Sequence, residues 1–207
     1  MSEFRIARGT HVPTLDDIRE AYSVKDDGDH HTFTVNVSAE NIDRTFAWLS
    51  AKIVMPCFLF FEVPYSKVIE DAVRQSEDDP LHKDVYYLDN LGFSDAFSIY
   101  SKYKDLLVND GEIVFGIGSA PSVGTDEIIV GAYKIFNIIT EYPEKYSSVL
   151  SELNFPHTDS LKTVWDTFTP ETPGARMILK QDGIDIYGMI EALKEEGLYF
   201  AERREQD

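Results

Sequence analysis

Ile53-Val54-Met55-Pro56-Cys57-Phe58-Leu59-Phe60-Phe61-Glu62-Val63 is the stretch of sequence that decides the fold. It is the strongest apolar segment of the chain, and its apolar residues are continuous, which is typical of a strand covered on both faces. Proline cannot donate a hydrogen bond to a neighbouring strand, so Pro56 stands before the paired part and Pro64 ends it. We therefore expect a central strand at residues 57–63.

Helical and strand patterns alternate along the rest of the chain. Residues 32–37 alternate polar with apolar side chains, as a half-buried strand does. In contrast, Ile42, Phe46 and Leu49 recur at helical spacing after Ser38, a residue that can cap a helix. By the same patterns we expect helices at about 15–22, 38–52, 65–76, 94–108, 142–153, 161–168 and 187–196, and strands at about 32–37, 84–89, 112–118, 126–140 (divided at Gly131), 176–180 and 198–201.

The order of these elements predicts the fold class. Helices and strands are interleaved, but they lack the strict βαβα rhythm of a doubly wound parallel sheet. Apolar residues make up 43% of the chain and aromatic residues 13%, which is enough for a core, and no linker or repeat divides the chain. We therefore expect an α+β fold in one globular domain, residues 1–207, with a mixed or antiparallel sheet packed against helices on one or both faces.

The charge of the chain limits its partners. It has 37 Asp and Glu against 19 Lys and Arg, a formal charge of −18 on 207 residues, and its longest acidic run is only Glu77-Asp78-Asp79. The excess is spread over the whole sequence, which predicts an acidic folded surface rather than an acidic tail. Such a surface repels nucleic acid and anionic membranes and attracts cationic proteins. We expect neither direct nucleic-acid binding nor membrane binding.

Other features of the sequence predict a cytoplasmic protein. The first residues lack the basic and apolar regions of a secretory signal, and no apolar stretch approaches the ~18 residues of a membrane helix. Cys57 has no second cysteine with which to form an internal disulfide, as expected in a reducing compartment. Because apolar residues surround it, we interpret Cys57 as a buried structural residue rather than a nucleophile.

No motif predicts a nucleotide or metal site. Gly116 and Gly118 give only G-x-G, Pro121 occupies the place of a third glycine, and no P-loop lysine follows. His30, His31 and His82 lack the spacing of metal ligands. Asp26-Asp27-Gly28-Asp29 lacks the glutamate that would complete a calcium loop. We expect no catalytic residue, cofactor or metal.

Two classes of function remain open. The first is an acidic interaction protein, an immunity-type inhibitor that binds a basic toxin or another cationic protein, with Trp48 and Trp165 anchoring the core or a partner surface. The second is an enzyme or small-molecule binder with a site near the Gly116–Thr125 loop and Glu62 or His82 as acid or base. For the first, the expected contact residues are exposed acids, namely Asp26, Asp27, Asp29, Glu77, Asp78, Asp79, Asp126 and Glu127.

Overall fold

A computed structural model describes residues 3–76 and 79–205. The strands are β1 Thr10–His11, β2 Ala21–Asp26, β3 His31–Asn36, β4 Cys57–Pro64, β5 His82–Leu91, β6 Val114–Ser119, β7 Glu127–Val130, β8 Phe136–Thr140, β9 Ala175–Arg176 and β10 Tyr199–Glu205. The α-helices are α1 Ile42–Ser50, α2 Lys67–Val73, α3 Phe93–Asn109, α4 Pro143–Glu152 and α5 Ile186–Lys194. Short 3-10 helices cover Ala39–Asn41, Ala132–Lys134 and Val164–Thr167.

Eight strands form one antiparallel sheet in the order β10-β5-β4-β6-β7-β8-β3-β2, and β1 pairs with β9 in a separate two-stranded sheet. The predicted α+β class is confirmed. The predicted central strand is confirmed as β4, which pairs with β5 on one side and β6 on the other. The expected division at Gly131 is also confirmed, because the chain turns there between β7 and β8.

Within residues 3–76 and 79–205, the α-helices cover one face of the large sheet. The odd-numbered residues of β4, from Cys57 to Val63, are buried in the main hydrophobic core together with apolar residues of α1, α3, α4 and α5. Phe46 of α1 and Tyr100 of α3 both contact the ring of Phe115 in β6. Cys57 is fully buried, as predicted, and burial raises the pKa of its thiol to about 11. We call this side of the sheet the helix face and the other side the second face.

Aromatic side chains cover β4 on the second face. Phe60 is 3% exposed, and its ring lies directly over Gly116 of β6, where an added Cβ would be 2.2 Å from it. The ring of Phe58 covers Gly118 in the same way, at 2.3 Å. The two glycines therefore make room for phenyl rings in the middle of a sheet. The apolar run is buried on both faces, as expected, but a helix layer covers only one of them.

The helix predicted over residues 15–22 from local sequence signals is not formed, so this prediction is wrong. Asp17 adopts a left-handed backbone conformation (φ 65°), which interrupts a helix, and the amide of Asp16 bonds the Thr14 hydroxyl in a turn. Residue 21 then begins β2, because the chain pairs with β3 from Ala21 opposite Asn36. Tertiary strand pairing has prevailed over a local capping pattern.

Other expected elements differ in type or length. The helix expected at 161–168 is only the 3-10 turn Val164–Thr167, which begins with a capping box formed by Thr163 and Asp166. The strand expected at 176–180 is only β9. The last strand, expected at 198–201, extends to Glu205 as an exposed edge strand, and its four charged residues are typical of such edges.

No helix within residues 3–76 and 79–205 is both long enough and apolar enough to cross a membrane.

Replacing Gly118 tests the covering of glycine by phenyl rings. We expect Gly118→Ala to lower the free energy of unfolding by about 1–3 kcal/mol, because the new methyl group overlaps the Phe58 ring. The same replacement in a Phe58→Leu background should lower the free energy of unfolding clearly less. Urea unfolding of the four proteins of this double-mutant cycle measures the difference. Gly131→Ala, where the nearest atom is at 3.4 Å, is the matched control. Equal costs of Gly118→Ala in both backgrounds would contradict this account of the strand.

Candidate functional site

Three of the predicted contact residues lie at the end of β2 and in the turn that follows it. The Asp26 carboxylate accepts a hydrogen bond from the Gly28 amide at 2.9 Å, as in an Asx turn. Hydrogen bonds from Lys25 and Thr32 lower the pKa of Asp27, which is half-buried. Asp29 is exposed beside His30. These acids shape the hairpin, and the carboxylates of Asp26 and Asp29 remain accessible to solvent.

The expectation that Asp126 is exposed is wrong. It is 4% exposed, accepts a hydrogen bond from the Thr140 hydroxyl at 2.6 Å, and forms an ion pair with Lys145. The neighbouring Glu127 is half-buried on the second face, and desolvation raises the pKa of its carboxyl group. Asp126 therefore fixes the start of β7 to the end of β8, and its contact with a partner stays a prediction.

The remaining predicted acids lie at the opposite end of the sheet or outside the described residues. Asp79 is half-buried in the loop between α2 and β5, where its carboxylate accepts hydrogen bonds from the backbone of Gln75 at 2.6 Å and Ser76 at 3.1 Å. Glu77 and Asp78 lie outside the described residues. The predicted acids that lie in the described part of the chain thus do not form one patch.

One end of the sheet carries an acidic surface with apolar residues, and we call it the hairpin end because the β2–β3 turn lies there. Register places the starts of β4 and β7 and the ends of β5, β6 and β8 at the same end. Its exposed acids are Asp26, Asp29, Asp89, Asp95, Glu141 and Glu144, its exposed lysines are Lys25 and Lys52, and its exposed apolar residues are Val54, Phe93, Val123 and Tyr142.

The alternative site near the Gly116–Thr125 loop is not assembled. Gly116 and Gly118 are covered by phenyl rings, and residues 120–125 form a turn at the hairpin end. Glu62 lies near the opposite end of β4, paired with Val114. His82 contacts Glu70 at 2.8 Å beside α2, at that same far end. Neither of the proposed acid or base residues is therefore close to the loop.

A groove of about 530 Å³ lies on the second face, at the end of the sheet away from the hairpin. Strand residues form its floor, and a wall of loops from the N-terminal and C-terminal parts of the chain stands beside it. A second hydrophobic cluster around Tyr133 and Ile135 stabilises this wall. The lining residues are Thr34, Glu62, Pro64, Lys83, Glu112, Val114, Gly131, Ala132, Ile135, Asn137, Thr163, Trp165 and Arg176.

Glu62, which lines the groove, forms ion pairs with two cationic side chains. Its carboxylate is bound by Lys83 at 2.7 Å and by Arg204 of β10 at 2.9 Å. Arg204 also contacts Glu202 on the same strand. Because two cations already neutralise Glu62, it holds β10 and β5 to β4, and the arrangement does not resemble that of a general acid or base.

Arg176 and Glu112 form a looser pair on the same groove. Their nearest charged atoms are 3.6 Å apart, and their side chains are 24% and 20% exposed. Neither side chain makes a hydrogen bond with any residue of the described ranges. Desolvation raises the pKa of the Glu112 carboxyl group, with Arg176 opposing that effect. This pair therefore has unused hydrogen-bonding capacity beside a cavity.

The buried carboxylate of Asp110 stabilises the groove wall that carries Arg176 by hydrogen bonds to the backbone. Asp110 accepts hydrogen bonds from the backbone amides of Glu112 at 2.8 Å, Ile113 at 3.0 Å and Leu179 at 2.7 Å. The last of these joins the C-terminal segment to the start of β6. The position of the groove wall is thus set by charge-assisted hydrogen bonds inside the protein.

Lys134 lies behind the groove, with 1% exposure. Its ammonium donates to the Ile113 carbonyl at 3.0 Å and lies 5.5 Å from the centre of the Phe115 ring. Burial lowers the pKa of Lys134 to about 7, and the charge of Asp110 partly opposes that shift. It is inaccessible to a ligand, so we assign it a structural role.

Comparison of the chain with models of known protein families, with curated proteins and with solved structures found no match. Within the described parts of the chain, no group of three or more histidine, cysteine, aspartate or glutamate side chains is placed to hold a metal ion. A hypothesis about function must therefore be based on the charge and shape of the hairpin end and of the groove.

The groove was not predicted from the sequence. Glu112, Arg176 and Asn137 stand in no motif, and the pairing of β1 with β9 that brings Arg176 to the groove involves only two residues of each strand. Trp165, which we expected to anchor the core or a partner surface, is 51% exposed and lines the groove, and its contact with a partner stays a prediction.

Replacing Lys134 tests its burial. Its pKa in the folded protein, about 7, lies below the ordinary lysine value of about 10.4, so the unfolded chain binds more protons between these values. The free energy of unfolding should therefore rise by up to about 1 kcal/mol per pH unit between roughly pH 7 and pH 8.5. Lys134→Met should reduce this rise, while the exposed control Lys67→Met should keep it. Urea unfolding at several pH values measures both, and an unchanged rise in Lys134→Met would contradict the assignment.

Proposed function

We propose that this protein is an acidic interaction protein that binds a cationic protein, and that it acts as an immunity-type inhibitor of a basic toxin. The observation that carries the proposal is the hairpin end, where exposed carboxylates stand next to exposed apolar side chains. Protein interfaces use this combination, with aromatic residues in the contact and charges around it. Tyr142, which is 62% exposed, and Phe93, which is 41% exposed, are the aromatic residues available there.

The charge of the whole molecule supports the same proposal. A net charge of −18 produces an attractive field for a cationic partner and accelerates encounter. Lys25 and Lys145 at the hairpin end are neutralised by Asp27 and Asp126, so they do little to offset the exposed acids. A basic surface approaching this end meets mainly carboxylates.

The proposed location is the cytoplasm. Cys57 is an unpaired thiol, and its burial protects it from reaction with other thiols. An inhibitor that protects its own cell would meet its target there.

Neutralising the hairpin end tests the proposal. In Asp29→Asn/Glu141→Gln/Glu144→Gln we expect association with the cationic partner to slow by about an order of magnitude at low ionic strength, because electrostatic steering weakens. The matched control Asp159→Asn/Glu171→Gln/Glu205→Gln removes the same charge elsewhere and should slow association less. The measurement begins with capture of partners from a lysate of the source organism at low salt, followed by kinetics with the purified partner.

Two results would contradict the proposal. One is that the wild-type protein captures no basic protein from the lysate in a larger amount than the triple variant of the hairpin end does. The other is that both triple variants bind the captured partner at the same rate as wild type, since the acidic end would then play no part in recognition.

A further inference from the structure

We propose that the groove on the second face binds a small zwitterion, an α-amino acid with an apolar or aromatic side chain. The carboxylate of the ligand would bind Arg176, its ammonium would bind Glu112, and its side chain would contact Trp165. This inference does not rest on the proposed partner binding at the hairpin end, which is a different surface.

The Arg176–Glu112 pair has unused hydrogen-bonding capacity that a ligand can fill. A guanidinium has five donors in a planar arrangement that matches a carboxylate, and a carboxylate can accept several hydrogen bonds. Both side chains are about four-fifths buried, and their charged atoms are 3.6 Å apart without a hydrogen bond to any described residue. Partly desolvated ions with few hydrogen bonds are unfavourable, so a ligand that supplies those bonds gains free energy.

The charges in the groove favour a ligand that carries both a positive and a negative group. Glu62 and Lys83 in the groove already form an ion pair, and Arg176 stands beside Glu112. Because Lys83 and Arg204 already neutralise Glu62, Arg176 and Glu112 are the opposite charges that face a ligand. A ligand with only a negative charge would be repelled by Glu112, and one with only a positive charge would be repelled by Arg176. An α-amino acid carries both charges on neighbouring groups, so it matches two opposite charges that lie side by side.

The rest of the groove provides apolar contacts for the side chain of an amino acid. The Trp165 ring is half exposed and is held edge-on by Tyr133 at 4.9 Å and Phe168 at 5.3 Å. Val114 and Ile135 also line the cavity, giving the ligand side chain an apolar contact. The volume of about 530 Å³ lies within the range of small-molecule sites and is large enough for any amino acid.

Neutral polar groups complete the site. The amide of Asn137 and the hydroxyl of Thr34 line the groove, and neither side chain makes a hydrogen bond within the described residues. They lie opposite one another on β8 and β3. Both can donate to a carboxylate, which adds to the preference for a ligand with that group.

Tryptophan fluorescence offers a direct measurement. The chain has two tryptophans, so Trp48→Phe leaves Trp165 as the only one and reports on the groove. Titration of this variant with free phenylalanine and free leucine should give a saturable change in emission. The N-acetyl and amide forms of the same amino acids each lack one charge, and we expect them to bind at least about tenfold more weakly, which corresponds to the loss of a charge-assisted contact.

Variants in the same background separate the two contacts. Arg176→Met and Glu112→Gln should each weaken binding of the free amino acid by about tenfold or more. The affinity of the amide form should change little in Arg176→Met, because the amide has no carboxylate that could bind Arg176. The matched control is the exposed ion pair Lys102–Glu196, whose variants Lys102→Met and Glu196→Gln should bind as the background does. Thermal unfolding confirms that each variant is folded.

Three outcomes would overturn the inference. The first is that none of the twenty free amino acids causes a saturable change in Trp165 emission at concentrations up to about 10 mM. Any binding would then be weaker than that of a specific small-molecule site. The second is equal binding of free and blocked forms to the wild-type groove. The third is unchanged affinity in folded Arg176→Met. None of these results bears on the hairpin end, so the proposed function is tested separately.

Discussion

The structure depends on the burial of β4 on both of its faces. On the helix face, the odd-numbered residues from Cys57 to Val63 pack into the core formed with four helices. On the second face, phenyl rings lie on the backbone of β6, where glycine leaves space for them. Strong apolar burial on both sides fixes the register of the central strands, because a shift of one residue would exchange the two faces. The groove and the hairpin end are the two ends of this fixed arrangement.

The two ends of the sheet use charge in different ways. At the hairpin end, carboxylates are mainly exposed, and they act at a distance through the field that they produce. In the groove, acids and bases are present together and partly buried, so their effects are short-ranged and directional. The same acidic chain thus presents one surface suited to a large cationic partner and one suited to a small ligand of balanced charge.

Much of the fold could be predicted from the sequence, because burial imposes its pattern on consecutive residues. The apolar run identified β4, and alternation over residues 32–37 identified β3. The expected helix at 15–22 failed, since the local signal at Thr14 says nothing of the left-handed conformation at Asp17 or of the pairing of Ala21. Local patterns describe local preferences, and tertiary pairing decides between them.

The sites were harder to predict for the same reason. Asp126 resembles an exposed loop acid in the sequence, and only the fold brings Thr140 and Lys145 to it. Arg176 and Glu112 are separated by more than sixty positions, and their segments are joined by the hydrogen bond that the Gly111 amide donates to the Met177 carbonyl. Asp110 joins these segments through three backbone amides. Since that clamp is internal, the groove is preorganised: a ligand would not have to order the wall on entry, and more of its contact energy would remain as affinity.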